Sequence, residues 1–124
     1  MKVRISGNSI RFRLKQSEVK QFQQTGEIKQ VTSFGIQPED KLSFVLKETP
    51  SKNYMIRYQV NMVILEVPAT VSNEWTATEL IGFEETIDTG RGAAIKILVE
   101  KDFECLDGSD TENEDAFPNP NLHC

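Results

Sequence analysis

The first fifteen positions alternate between apolar and polar. Val3, Ile5, Ile10, Phe12 and Leu14 fall on one face, and Lys2, Arg4, Arg11, Arg13 and Lys15 on the other. A period of two is the mark of a strand with one buried face. Ser6-Gly7-Asn8-Ser9 between the two runs supplies a tight turn, so the segment predicts a β-hairpin. Residues 16–25 then shift to helical spacing, with Val19 and Phe22 at i and i+3, Ser17 and Glu18 in the first turn and Gly26 as the stop. Further strands are predicted over 27–34 and 41–48. The run 54–67 is too long for one strand and is split near Val60-Asn61 into a second hairpin. Residues 68–74 read as a single helical turn opened by Pro68. A third hairpin spans 80–88 and 93–103 around Thr89-Gly90-Arg91-Gly92.

Seven to eight short strands at this spacing, with one N-terminal helix after the first hairpin, predict an α+β, mostly β fold. The expected architecture is a small antiparallel barrel or barrel-like sheet. Residues 1–106 form the expected β-rich domain. Residues 107–124 are acidic and rich in Pro and Asn, and form a tail expected to pack on that domain through Phe117. No apolar run approaches the roughly 20 residues that span a bilayer, and the N-terminus has charges where a signal peptide needs an apolar stretch. A cytoplasmic protein with neither membrane nor nucleic acid as partner is the expectation.

Charge changes this picture. The 124-residue chain has a net charge of −5, but residues 1–67 carry 11 Lys/Arg against 6 Asp/Glu and residues 68–124 carry 3 against 13. A basic front half and an acidic rear half suggest that the chain neutralises itself. Like charges opposite each other in a hairpin are destabilising, so the stripe Arg4, Arg11, Arg13 and Lys15 calls for anions. Glu100 and Asp102, opposite in face to Ile95, Ile97 and Val99, are the internal candidates. Pairing the last strand beside the first hairpin would bring Arg11 or Arg13 onto Glu100 or Asp102. A small anion held by the same four cations is the functional alternative.

Signatures of catalysis and cofactor binding are missing. There is no GxxxxGK[ST], GxGxxG, HExxH or GxSxG, and no cofactor is expected. Glu85 falls in register with Ile81, Phe83 and Ile87. A carboxylate on a core face must be paired, protonated or turned out by a bulge, so Glu85 is the candidate for acid–base work, with Glu100 as the second carboxylate of a hydrolase. The acidic run Asp107, Asp110 and Glu112 lacks the EF-hand spacing. Cys105 and His123, with Cys124, could ligate a metal, and a Cys105–Cys124 disulfide would instead fasten the tail. The residues leave these alternatives open.

Three stretches carry a resemblance: Lys2-Val3-Arg4-Ile5-Ser6-Gly7-Asn8-Ser9-Ile10-Arg11-Phe12-Arg13-Leu14, then Val67-Pro68 with Asn73-Glu74-Trp75 and Ile81-Gly82, then Glu100-Lys101-Asp102-Phe103-Glu104-Cys105-Leu106 with Asp115-Ala116-Phe117-Pro118-Asn119-Pro120. Together they resemble a family of small bacterial proteins of unassigned function, which implies an independent domain and assigns no site residue. The basic face with Glu100 is also similar, at the level of fold, to triphosphate-tunnel enzymes. Their N-terminal ExExK signature is replaced here by Lys2-Val3-Arg4-Ile5-Ser6, which has no carboxylate to hold a metal. The reading is therefore a non-enzymatic binding or structural module for a small anion or a protein. The alternative is a metal-assisted phosphate-ester or polyphosphate hydrolase using Arg11, Arg13, Glu85 and Glu100. A packed interior favours the first, and an open Arg-lined tunnel the second.

Overall fold

A computed structural model of the chain describes residues 1–104 and 113–118. The elements run β1 (Lys2–Ser6), β2 (Ser9–Leu14), α1 (Gln16–Thr25), β3 (Glu27–Ser33), β4 (Lys41–Thr49), β5 (Met55–Gln59), β6 (Met62–Pro68), α2 (Ala69–Ala77), β7 (Gly82–Gly90) and β8 (Ala93–Lys101). The tight turns take positive φ, two of them at a glycine. Gly7 has φ 53°, and Arg91 and Gly92 have 54° and 77°. Gly26 ends α1 in the left-handed region at φ 74°, with its N–H on Phe22 O at 2.8 Å.

The eight strands form two four-stranded sheets, β1-β2-β8-β7 and β3-β4-β6-β5, and do not close into a barrel. This corrects the expected antiparallel barrel. Each sheet is built from two antiparallel hairpins whose second strands lie side by side in parallel, β2 with β8 and β4 with β6. Turn chemistry predicts hairpins, because it is local, but says nothing about how hairpins join. The second helix is likewise a correction. The turn expected after Pro68 continues to Ala77, because burial of Trp75 and Ser72 stabilises nine residues that propensity alone would not.

The order β1-β2-α1-β3-β4 repeats as β5-β6-α2-β7-β8, and the two units exchange hairpins so that each sheet takes one from each. Equivalent residues lie 53 positions apart through the first hairpin, the helix and the last strand. Phe12 and Leu65, Leu14 and Val67, Val19 and Ser72, and Leu46 and Val99 occupy matching registers or helix positions. Phe22 matches Trp75, and their rings meet edge-on across the pseudo-twofold at 6.3 Å.

The centre of the space between the sheets is filled. Phe12, Leu14, Phe22, Leu46, Leu65, Trp75, Ile97 and Val99 are fully buried, and Phe12 packs edge-on against Phe44 of the facing sheet at 6.5 Å. Beyond β8, Asp102 N donates to Leu14 O, and residues 113–118 return to lie beside the chain. Phe117 N donates to Asp102 O and Glu104 N to Phe117 O, each at 2.8 Å. The rings of Phe103 and Phe117 meet at a tilt, 6.0 Å apart. Both are half-buried, and Phe117 packs against the core.

Candidate functional site

Alternation in β1 and β2 sends Val3, Ile10, Phe12 and Leu14 inward and the intervening cations outward. The register sets Arg4 opposite Arg11 and Lys2 opposite Arg13. Four cations thus share the outer face of one hairpin, and Lys2, Val3, Arg4, Arg11 and Arg13 line a shallow groove of about 170 Å³.

The parallel pairing of β2 with β8 sets Arg13 beside Glu100. Arg11 Nε and Arg13 Nε both donate to Glu100 Oε1, at 2.7 and 2.8 Å, which is the expected link between the first hairpin and the last strand. The expected partnership with Asp102 goes to Lys2 instead, whose Nζ stands 3.1 Å from Asp102 Oδ2. Asp102 is only 4% exposed, and Oδ2 makes no aligned hydrogen bond, so the Lys2 charge is what compensates it. Among the described residues Arg4 has no carboxylate within ion-pair distance. Among the described residues, the ion pairs of these four cations involve two carboxylates, Glu100 and Asp102.

Lys15 does not join the groove. It is the N-cap residue of α1, where its N–H donates to Glu18 Oε1 at 2.9 Å. Lys2, which the anion-site reading left out, takes its place. The signal was present in its alternation with Arg4.

Glu85 and Glu100 are not brought together. Glu85 lies opposite the fully buried Ile97, on the inner side of β7, while Glu100 lies on the outer face. No bulge turns Glu85 outward, since the register shift falls between Asp88 and Gly90. Glu85 is exposed because β7 is an edge strand. An inward-facing charge on an edge also discourages strand addition. Near it, burial first and the Glu85 carboxylate second push the Tyr54 phenol above its usual range.

A second unusual group is Lys101, which is buried at the inner end of β8. Its Nζ donates to Thr78 O at 2.7 Å, at the C-terminus of α2, and stands 5.5 Å from the centre of the Phe117 ring. Burial lowers its pKa, and Glu79 opposes that shift. The lysine therefore serves as a cap for α2 and as a seat for Phe117.

Asp107, Asp110, Glu112, Cys105, His123 and Cys124 lie outside the described residues. Among the described residues, no group of three His, Cys, Asp or Glu side chains could hold a metal ion, and no helix is long and apolar enough to cross a membrane.

These features define a small two-sheet protein, built from a repeated hairpin–helix–hairpin unit, with one basic sheet face. The chain belongs to DUF7009, a family of unknown function whose model matches residues 1–121. No curated protein and no solved structure matches it.

Proposed function

We propose that this chain is a non-enzymatic binding module whose basic face on β1 and β2 holds an anionic group, a phosphate or a carboxylate. The observation that carries the reading is the direct opposition of Arg4 and Arg11. Like charges set opposite one another destabilise a hairpin. Glu100 offsets Arg11 and Arg13 but does not reach Arg4, so an anion seated in the groove would relieve the remaining repulsion. Arginine's planar fork suits either oxyanion.

Two further observations favour a module over a hydrolase. The interior is packed with Phe, Leu, Ile and Val rather than open. The carboxylates proposed for catalysis lie on opposite sides of one sheet, so they cannot flank one scissile bond.

NMR titration with inorganic phosphate tests the reading. The Nε–Hε resonances of Arg4 and Arg11 should shift together, with a midpoint that rises steeply with salt. Arg4→Gln should weaken binding by about tenfold, the loss of one charge-assisted contact. Absence of any shift at tens of millimolar phosphate would overturn it.

A further inference from the structure

The sheets have four edge strands, and three are protected against pairing with another chain. β1 carries Lys2 and Arg4, β3 carries Glu27 and Lys29, and β7 carries Glu84, Glu85 and Asp88 with a register shift near its end. The fourth, β5, reads Met-Ile-Arg-Tyr-Gln, without proline or bulge. Its one charge, Arg57, is turned back across the sheet onto Glu66 of β6 at 2.8 Å. Met55 is 50% exposed, Tyr58 69% and Val60, in the following turn, 93%. Val60 also holds φ 47°, a conformation that β-branched residues seldom adopt.

The backbone of β5 points the same way. Val60 and Asn61 form a two-residue turn, in which the flanking Gln59 and Met62 use their N–H and C=O groups on each other. Antiparallel alternation extends that pattern to Arg57 and Met55. Ile56 and Tyr58 therefore hold their backbone groups toward the open side.

A cleft of about 360 Å³ adjoins the inner face of this strand. Ile56, Tyr58 and Val63 line it from one sheet, and Ile5, Ile10 and Ile95 from the other. The seam beside it differs from its pseudo-symmetric partner. At the first seam the Met1 amine bonds to Gln30 Oε1 at 3.2 Å and so ties the β1 edge to β3. At the second, Tyr54 meets Phe83 at a tilt, 6.2 Å between ring centres, and no hydrogen bond joins β5 to β7 among the described residues.

We infer that the β5 edge takes up an extended peptide segment of a partner protein, with alternate apolar side chains entering the Ile56–Tyr58 cleft and a basic residue meeting Glu85. Strand addition supplies backbone hydrogen bonds to Ile56 and Tyr58, and the cleft selects every second side chain. Glu85 supplies the charge complement. It is exposed at the seam and has no cation within ion-pair distance among the described residues. Glu85 follows Phe83 by two residues on the same inner face of β7, and Phe83 meets Tyr54, so the charge lies at this seam. A second copy of the chain fits less well, because antiparallel self-pairing centred on β5 sets Arg57 against Arg57.

An array of peptides of about ten residues, apolar at alternate positions and with or without a terminal lysine, tests this on the full chain by fluorescence polarisation. A subset should bind, with amide exchange slowed at Ile56 and Tyr58. Tyr58→Lys, at an exposed position that leaves the melting curve unchanged, should weaken binding at least about tenfold by guarding the edge. Glu85→Lys should abolish the preference for lysine-bearing peptides. Arg4→Gln should leave peptide binding unchanged, which separates this site from the anion groove. Three results would overturn the inference: no peptide of the array binds, Tyr58→Lys leaves binding intact, or sedimentation shows the chain alone forming a dimer that Tyr58→Lys dissociates.

Discussion

The carboxylate of Asp115 accepts the backbone N–H of Ser17 at 3.2 Å and also the Ser17 hydroxyl, across a separation of 98 residues. Helix α1 lacks a side-chain cap from its own N-cap residue, Lys15, so the returning segment supplies one. Gln16 strengthens the contact, donating its N–H to Asp115 O at 3.0 Å and its amide to Ala116 O at 2.7 Å. Loss of an N-cap costs about 1 kcal/mol. Asp115→Ala should lower stability by about that amount in urea melts and speed amide exchange at Ser17, whereas Asp115→Asn should recover most of the loss. Unchanged exchange at Ser17 in Asp115→Ala would show that the cap contributes nothing.

That cap is a fair measure of what the sequence discloses. The hairpins of β1–β2, β5–β6 and β7–β8 are legible because each is written locally, in a few turn residues and a period of two. The helix over 16–25 is legible from Val19, Phe22 and Gly26. The parallel joins of β2 to β8 and of β4 to β6 are not, because no local residue specifies which hairpin lies beside which. The internal repeat escapes notice for a related reason. Phe12 matches Leu65 and Phe22 matches Trp75 in burial and not in identity, and packing demands only size and apolarity. At the basic face, charge balance pointed to Arg11, Arg13 and Glu100. It could not divide the carboxylates, Glu100 to the arginines and Asp102 to Lys2, because that division depends on the register.

Gly82 lies opposite Glu100 in the β7–β8 ladder. A Cβ added there would stand 2.5 Å from Val99 O and 2.9 Å from Glu100 Cβ. Both neighbours belong to a central strand that cannot retreat. Gly82→Ala should cost about 1–3 kcal/mol, as overpacking does, and should be read by thermal melting. A melt equal to the wild type would mean that β7 shifts freely on β8.

The pH dependence of stability should carry the imprint of Lys101. Its folded pKa is lowered, with burial the main cause and Glu79 opposing. In the window between that value and the usual lysine value near 10.5, the unfolded state binds more protons than the folded one. Stability rises with pH wherever that holds. The burial penalty is therefore present in full below the folded pKa and is relieved as pH climbs toward that of an unfolded lysine. Tyr54, whose pKa is raised, acts with the opposite sign and only from about pH 10 upward. Denaturant melts from neutral pH to just below pH 10 should show wild type gaining on Lys101→Met. Parallel curves for the two proteins would rule the effect out.

Glu100 decides whether the basic face is a self-contained ion cluster or a site awaiting an anion. Its single Oε1 accepts from both Arg11 and Arg13, so it occupies the position an incoming oxyanion would compete for. Glu100→Gln keeps the shape and removes the charge. The arginines are partly exposed, and solvent screening keeps such pairs weak, about 0–1 kcal/mol each, so the stability cost should be modest. Phosphate affinity should move the other way. With one of the two carboxylates neutralised, Arg11 and Arg13 turn their donors to the groove, and binding should tighten by several-fold at low salt and lose that gain at high salt. Arg4→Gln in the same background should bring affinity back toward the wild-type value. Calorimetric titration of the wild type and both variants measures all three terms. If Glu100→Gln lowers stability and leaves phosphate binding untouched, the cluster is structural and the anion belongs elsewhere.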